Sequence, residues 1–288
     1  MTDAARAAES AEQLRLQRES WSAAAPGWDR WFEAFESFSR PLSLELARCA
    51  GVKPGDSVLD VGCGNGEPSL TVARIVGPTG HVLGIDLAEP MVEIARRRAA
   101  QAGLANAEFR ALNAADLHGF RAFDAAVSRF VLMLAPEPIE AARAVCAVLR
   151  PGAHFAACVW GEGTEVPFCS VVPEVSQRVL GVAPPGPDAP GPVRLGRSGA
   201  LSDVLRAGGF ADVEEHALRV EPRFASAAEA ARFYTEGSGG ARRALEGREP
   251  AERARFVEAL ERALAAYALP DGSIAMPSTV RVASGRAA

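Results

Sequence analysis

The segment VLDVGCGNGEPSL, residues 58–70, decides the fold of this chain. An apolar strand ends at Asp60 and runs into Gly62, Gly64 and Gly66 before a helix begins. Glycine permits positive backbone dihedral angles and lets the chain approach a ligand with no side chain in the way. The segment therefore predicts a strand, a ligand-binding turn and a helix, with a glycine turn that binds nothing as the alternative.

The residue after the third glycine separates two classes of ligand. Dinucleotide-binding turns prefer a glycine at the position that Glu67 holds here, so that a pyrophosphate can sit on the helix N-terminus. A carboxylate at that position repels pyrophosphate. The turn therefore favours a ligand that lacks phosphate and has a positive end, which disfavours an NAD-linked dehydrogenase.

Asp86 ends the second predicted strand, roughly 20 residues beyond the glycines, where a carboxylate can accept hydrogen bonds from both hydroxyls of a ribose. An aspartate at a strand end is also a common cap of the following helix. Its register with the glycine turn favours the ribose role over the capping role.

Short apolar runs alternate with longer helical stretches from Ser57 onward, as in a mostly parallel sheet with helices on both faces. The first five strands are predicted at 57–61, 81–86, 107–112, 123–129 and 154–160, and the helices between them at 67–76, 89–102 and 138–149. A helix at 198–208 and two late strands, at 211–220 and 279–285, complete a seven-stranded, Rossmann-like α/β sheet.

Four segments organise the chain around this sheet. They are an N-terminal helical lid (1–45), the core (46–222), a helical cap insert (223–275) and the last strand (276–288). Helices are expected at 10–24 and across 226–268, and the aromatic residues from Trp21 to Phe38 either dock on the core or cover a ligand. Within the core, an insert at 161–197 is predicted to hold no regular element because of its prolines, Pro184, Pro185, Pro187, Pro190 and Pro192.

Composition limits the function further. The net charge is -5, which argues against a broad phosphate-contacting surface and so against a nucleic-acid partner. The five cysteines include no close pair of metal-ligand type, so no metal site is predicted. The sequence shows neither an apolar leader nor a membrane-length apolar run, so the chain is expected to be cytoplasmic. It is expected to be a monomer or a homodimer.

Four segments in order, VLDVGCGNG, GIDLAEPMVEIARRRA, FDAAVSRFVLMLAPEP and VLRPG, resemble the class I S-adenosylmethionine-dependent methyltransferases. Within that class they resemble the branch that acts on quinones and bacterial natural products. The resemblance covers roughly residues 50–160 and is specific for the fold and the cofactor. It says little about the methyl acceptor.

The resemblance implies a site for S-adenosylmethionine in which Asp60 and the glycine backbone surround the methionine part, Asp86 binds the ribose and Met91 lies against the adenine. Where the family has an aspartate for the adenine amino group, this chain has Asn113, with Asp116 as the alternative. The full set of expected cofactor contacts is Asp60, Gly62, Cys63, Gly64, Gly66, Asp86, Leu87, Met91, Asn113, Ala114 and Ser128.

Two residues are candidates for catalysis. His118 follows the third strand and is the first choice for a general base. Arg129 ends the fourth strand, where it would face the transferred methyl group or the cofactor carboxylate, with a surface ion pair as its alternative role. Tyr234 and Glu236 of the cap are weaker candidates, and the other histidines, His81, His154 and His216, are expected to be structural.

The sequence thus predicts a methyltransferase that acts on an oxygen or carbon of a small acceptor, natural-product-like or quinone-like. Methylation of RNA or protein and a non-catalytic cofactor-binding assembly protein remain the alternatives.

Overall fold

The computed structural model describes residues 3–120, 122–184, 186 and 189–288, so Pro185 and Pro187 of the proline-rich insert lie outside the described residues. Nine strands and ten helices occur in the described part. The strands are β1 (Ser57–Val61), β2 (His81–Asp86), β3 (Ala107–Ala111), β4 (Phe123–Arg129), β5 (Leu149–Trp160), β6 (Phe210–Val220), β7 (Arg223–Phe224), β8 (Ile274–Ala275) and β9 (Ser278–Ala287). The helices are α1 (Asp3–Arg30), α2 (Phe32–Cys49), α3 (Ser69–Val76), α4 (Glu89–Gln101), α5 (Pro138–Val148), α6 (Pro167–Leu180), α7 (Ala200–Ala207), α8 (Ala227–Gly237), α9 (Gly239–Leu245) and α10 (Pro250–Leu264).

The main sheet has seven strands in the order β3-β2-β1-β4-β5-β9-β6. Neighbouring strands from β3 to β5 pair in parallel, whereas β9 pairs antiparallel with both β5 and β6. This confirms the predicted Rossmann-like sheet and its completion by two late strands. β1 and β4 are buried along nearly their whole length, as strands covered on both faces must be, which explains their continuous apolar sequences.

The direction of chain progression through the sheet reverses between β1 and β4. From β1 the chain moves outward to β2 and β3, and it then returns to place β4 on the other side of β1. At such a reversal the loops that leave two neighbouring strands diverge, so a crevice opens at the carboxyl ends of the strands. The topology therefore fixes the location of a ligand site before any side chain is considered.

The prediction that residues 161–197 hold no regular element is wrong for the first half of that insert. Residues 167–180 form α6, because Pro167 occupies the first turn, where its missing N–H costs nothing, and Phe168, Val171 and Val175 bury one helical face. Within the described residues, the segment 181–190 contains no helix or strand.

Three further boundaries differ from the predictions. The helix expected at 67–76 begins at Ser69, after a cis peptide bond between Glu67 and Pro68. The helical stretch expected across 226–268 is divided into α8, α9 and α10 by Ser238 and by the segment 246–249. At the N-terminus, α1 and α2 extend well beyond the short helix expected there, and no helix in the described residues has the length and apolar character to cross a bilayer.

α1 lies against α8 at Gly27, where the two backbones are in close contact. A Cβ placed on Gly27 would lie 2.1 Å from the carbonyl oxygen of Glu236. Around this point the Trp31 indole N–H donates to Glu236 Oε2 at 2.8 Å, and the Arg30 guanidinium lies 2.9 Å from the same oxygen. Glycine at position 27 is thus required for the two helices to meet.

We predict that Gly27→Ala lowers the free energy of unfolding by about 1–3 kcal/mol, because the added methyl forces α1 away from α8. Helix propensity alone would give the opposite sign, a gain of up to about 1 kcal/mol. The matched control is Gly237→Ala at the last residue of α8, where a Cβ would meet no atom within 4 Å. Equal urea midpoints for the two variants would contradict the close approach.

Candidate active site

The glycine turn after β1 adopts the conformation that its sequence predicts. Gly62, Gly64 and Gly66 have φ angles of 76°, 49° and 127°, which other residues rarely adopt. The N–H groups of Gly62 and Cys63 donate to the carbonyl of Ile85 in β2, at 2.7 and 2.8 Å. A Cβ on Gly62 would lie 2.1 Å from Val131 Cγ2, whereas one on Gly64 would meet no atom within 4 Å. The backbone at Gly64 therefore faces open space.

Asp86, at the end of β2, fixes the position of that turn. Its Oδ2 accepts a hydrogen bond from the Gly64 N–H at 3.0 Å, and its Oδ1 accepts one from the Ala88 N–H at 2.9 Å. Burial raises the pKa of Asp86, and the N–H groups that point at the carboxylate oppose this rise. A carboxylate offers about four acceptor positions, so the two oxygens retain acceptor capacity for a ligand.

A cavity opens at the carboxyl ends of β1 to β4, at the reversal of the sheet order. Eight of the expected site residues line it: Gly62, Gly64, Asp86, Leu87, Met91, Asn113, Ala114 and Arg129. Five do not line it: Asp60, Cys63, Gly66, Ser128 and His118. The rest of the wall consists of Leu14, Gln17, Trp21, Trp28, Phe35, Asn65, Glu67, Ile85, Leu112, Phe130, Val131, Leu134, Ala135 and Pro136.

Of the two candidates that follow the third strand, Asn113 reaches the cavity and Asp116 does not. Asn113 lines the wall, whereas Asp116 is exposed and absent from it. The amide of Asn113 makes only long local contacts, a donation to Asp116 Oδ2 and an acceptance from the Ala115 N–H, both at 3.4 Å. Asn113 therefore keeps hydrogen-bonding capacity toward the cavity.

Asp60 lies directly behind the glycine turn and is fully buried. Its Oδ2 accepts a hydrogen bond from the Ser69 hydroxyl at 2.5 Å, and its Oδ1 has no hydrogen-bond partner among the described residues. Burial raises the pKa of Asp60 to about 7, although the Ser69 hydrogen bond and the positive charge of Arg129 act in the opposite direction. Ser128, also fully buried, donates its hydroxyl to the carbonyl of Val61 at 2.9 Å.

Arg129 forms an ion pair with Glu36 of α2, and this pair is buried rather than at the surface. Its two terminal nitrogens lie 2.5 and 3.0 Å from the Glu36 carboxylate oxygens, and one of them also donates to the hydroxyls of Ser39 and Ser43. Both nitrogens are therefore occupied by α2, although the side chain borders the cavity. This arrangement gives Arg129 a structural partner and does not favour a role for it in the chemistry.

Glu67, which the sequence singled out as a barrier to pyrophosphate, is itself part of the cavity wall. Its side chain is buried, and its Oε2 accepts a hydrogen bond from the Thr71 N–H at 3.2 Å. Burial raises the pKa of Glu67. Its position next to the glycine turn was visible in the sequence, but its burial required the fold.

None of the four histidines lines the cavity. His118 lies in an exposed turn after β3, so the structure does not place the first choice for a general base near the other site residues. His81 is exposed, 3.6 Å from Glu108, His154 lies in the middle of β5, and His216 lies 2.9 Å from Glu45. The two cap candidates are also engaged elsewhere, since the Tyr234 hydroxyl donates to the Phe168 carbonyl at 2.7 Å and Glu236 binds α1.

The aromatic residues near the N-terminus divide between the two roles predicted for them. Trp31, Phe32 and Phe38 are buried in the core, whereas Trp21, Trp28 and Phe35 line the cavity. We call α1 and α2 together the N-terminal cover. Gln17 of this cover donates to the carbonyl of Leu134, and Asn65 of the glycine turn donates to the carbonyl of Trp28 at 2.9 Å.

Comparisons with known proteins agree with this architecture. A family described as a methyltransferase domain matches residues 52–176. The Nocamycin O-methyltransferase of Saccharothrix syringae is 33% identical over 261 residues, which cover 86% of this chain and 91% of that protein. The demethylmenaquinone methyltransferase of Listeria monocytogenes is 35% identical over 118 residues, 41% of this chain and 48% of that protein.

Among solved structures, the cyclase SpnF has a TM-score of 0.53 at 22% identity, and the match covers 85% of this chain and 80% of that one. At this identity the likeness concerns the fold alone.

We predict that Arg129→Met lowers the free energy of unfolding by about 3–5 kcal/mol, because it leaves the Glu36 carboxylate buried without a counter-charge. The double variant Arg129→Met/Glu36→Leu should recover most of that loss, since an apolar pair replaces a buried ion pair at little cost. Urea unfolding measures both. The matched control, Arg143→Met, breaks an exposed pair with Glu140 and should cost no more than about 1 kcal/mol. A double variant as unstable as the single would contradict the assignment.

Proposed function

The chain belongs to the S-adenosylmethionine-dependent methyltransferases, and from this premise we propose that it methylates an oxygen or carbon of a small, natural-product-like or quinone-like acceptor. The observation that carries the proposal is the pairing of Gly64 and Asp86 in one cavity wall. A bare backbone and a carboxylate there are joined by a hydrogen bond at the point where the sheet order reverses. The O-methyltransferase relative that extends along nearly the whole chain supports the reaction class.

The residues of the wall fit S-adenosylmethionine part by part. Asp86 has acceptor capacity left for ribose hydroxyls, Met91 and Leu87 offer apolar surface for the adenine, and Asn113 offers an amide for its edge. The open space beside Gly64 leaves room for the methionine part. Behind it, the unpartnered oxygen of Asp60 adds negative potential in a place where an ammonium or sulfonium group is stabilised.

The chemistry requires a dry, preorganised acceptor site next to this wall. When bound, S-adenosylmethionine supplies a methyl group on a positively charged sulfur. The side chains of Trp21, Phe35, Phe130 and Leu134 give the adjoining space an apolar lining, which disfavours water. A dry environment favours a transition state in which charge disperses, and fixing the acceptor atom in line can contribute up to about 7–11 kcal/mol.

Glu67 is the group in the wall that is suited to take a proton from a hydroxyl acceptor. Its Oε1 lies 4.0 Å from a guanidinium nitrogen of Arg74, and the Thr71 hydrogen bond and the charge of Arg129 only partly oppose the rise in its pKa. The rise in the pKa of Glu67 on burial makes the carboxylate a stronger base than an exposed glutamate. His118, being exposed and outside the wall, is poorly placed for this step.

The alternative acceptors have less support. The net charge of -5 does not favour a nucleic-acid substrate. A cyclase shares the fold, so the fold alone does not establish methyl transfer. Turnover must therefore be measured directly. The test is release of S-adenosylhomocysteine from S-adenosylmethionine with a panel of hydroxylated aromatic and quinone acceptors, followed by mass spectrometry of the product. No binding of S-adenosylmethionine in calorimetry would refute the proposal.

We predict that Asp86→Ala raises the dissociation constant for S-adenosylmethionine about 10–100-fold, because hydrogen bonds to a charged group contribute about 1.5–3 kcal/mol each. Asp86→Asn, which keeps one acceptor oxygen, should lose less. Isothermal titration calorimetry measures the constants, and circular dichroism checks that the fold is intact. His118→Ala serves as the control and should bind as the unaltered protein does. An unchanged affinity in Asp86→Ala would remove the basis of the assignment.

Affinity for S-adenosylmethionine should increase from pH 6 to pH 8 and level off above the pKa of Asp60, which is about 7. The sign follows from linkage: a positive ligand stabilises the Asp60 anion, so binding releases a proton wherever the free protein holds one. Below pH 7 the affinity should rise by at most about tenfold per pH unit. Calorimetry in two buffers of different ionisation enthalpy counts the proton. Asp60→Asn should abolish the dependence, and a slope that survives in this variant would assign it to another group.

A further inference from the structure

A second groove lies beside the cavity, between α1 and α9. One face of α1 forms its first wall with Gln13, Leu16, Gln17, Glu19, Ser20 and Ala23. The opposite wall contains Thr235, Arg242, Arg243, Leu245, Glu246 and Arg253, and Pro190 closes one end. Leu16 is half exposed in this groove, at 51% of its surface. The groove is thus partly apolar and rich in arginine.

The arginines of the groove have no acidic partners. Within the described residues, none of the guanidinium groups of Arg242, Arg243 and Arg253 forms an ion pair. Arg243 donates to the Ser20 hydroxyl at 2.9 Å, Arg253 donates to the Arg248 carbonyl at 3.0 Å, and the half-buried Arg242 makes no side-chain hydrogen bond in the described part of the chain.

The acidic residues of the groove do not neutralise these charges. Glu19 lies 2.6 Å from the Arg15 guanidinium, which also pairs with Glu12. The described lining thus holds two carboxylates, those of Glu19 and Glu246, against three guanidinium groups. The groove therefore carries a net positive charge, on a chain whose overall charge is negative.

Gln17 connects the groove to the cavity, because it lines both. Its amide donates to the carbonyl of Leu134, a residue of the cavity wall. Ser20, which accepts a hydrogen bond from Arg243, lies three residues further along the same face of α1, about 4.5 Å along the helix axis. A group bound at Arg243 is therefore within reach of a small molecule whose other end lies in the cavity.

We propose that the methyl acceptor bears an acidic group, which binds at Arg242 and Arg243 in this groove while the end to be methylated lies in the cavity. This inference rests on the proposed function and narrows its acceptor to amphiphilic acids. Guanidinium groups bind carboxylate, sulfonate or phosphate oxygens through short, charge-assisted hydrogen bonds. The exposed Leu16 and the neighbouring Leu245 and Ala23 provide apolar contact for the segment that joins the two ends.

The test uses two fluorescent probes of similar shape on the full-length protein. One is 8-anilinonaphthalene-1-sulfonate, an apolar acid, and the other is N-phenyl-1-naphthylamine, which is uncharged. Dissociation constants are measured for the unaltered protein, for Arg242→Gln/Arg243→Gln and for Arg255→Gln. Arg255 is the matched control, an exposed arginine of α10 outside the groove with no ion pair among the described residues. Each titration is repeated with saturating S-adenosylhomocysteine.

We expect the sulfonate to bind the unaltered protein and the Arg255→Gln variant equally, and the double variant about tenfold more weakly. The uncharged probe should bind all three alike, and the sulfonate should remain bound when S-adenosylhomocysteine is added, since acceptor and cofactor must bind together. If the double variant does not fold, the Arg242→Gln variant alone tests the proposal. It should fold, because the Arg242 side chain makes no hydrogen bond in the described structure.

Three results would overturn the inference: no binding of the sulfonate, equal losses for both probes, or displacement of the sulfonate by S-adenosylhomocysteine. Failure of the proposed function has a different signature, because S-adenosylhomocysteine would then not bind while the probe titrations without it still report on the groove.

Discussion

The carboxylate of Asp86 is the element on which the rest of the site depends. It accepts hydrogen bonds from Gly64 in the turn after β1 and from Ala88 at the start of α4, so one side chain at the end of β2 joins two loops. A glycine turn is conformationally free unless something fixes it, and its flexibility would have to be lost on ligand binding. Because Asp86 fixes the turn in the free protein, the bare backbone at Gly64 is preorganised, and the same carboxylate retains acceptor capacity for a ligand.

The charge around the cavity follows from the burial of more acids than bases. Asp60, Glu67 and Glu36 are all buried near one guanidinium, that of Arg129, and Glu36 is the carboxylate that forms the ion pair with it. The two remaining carboxyls respond with raised pKa values, as uncompensated buried acids do. A ligand with a positive centre relieves this excess. The excess of buried acids thus supports the proposal that the cavity takes a ligand with a positive centre.

The local parts of this arrangement were predictable from sequence and the long-range parts were not. The glycine turn, Asp86 and the strands around them follow from short segments whose spacing carries the signal. The Glu36–Arg129 pair joins residues 93 positions apart, and nothing near either residue indicates the other. The sequence favours His118 because it follows a strand on the correct edge of the sheet, yet the turn that holds it exposes it to solvent. In the proline-rich insert, the prolines beyond residue 183 hide the helical signal that the apolar spacing from Phe168 to Val175 carries.

The two helices of the N-terminal cover are attached to the rest of the protein by different kinds of polar contact. α2 is fixed by the buried Glu36–Arg129 pair, so displacing it would leave charges unpaired at a large cost. α1 is held over the cavity by side-chain to carbonyl hydrogen bonds and by Asp29, which pairs with Arg97 and Arg98 at 2.6 Å in partly exposed positions. Such exposed pairs contribute little to stability. α1 is held in addition by its close approach to α8 at Gly27 and by the Arg30–Glu236 pair. The buried ion pair of α2 is therefore the polar contact of the cover that would be most costly to break.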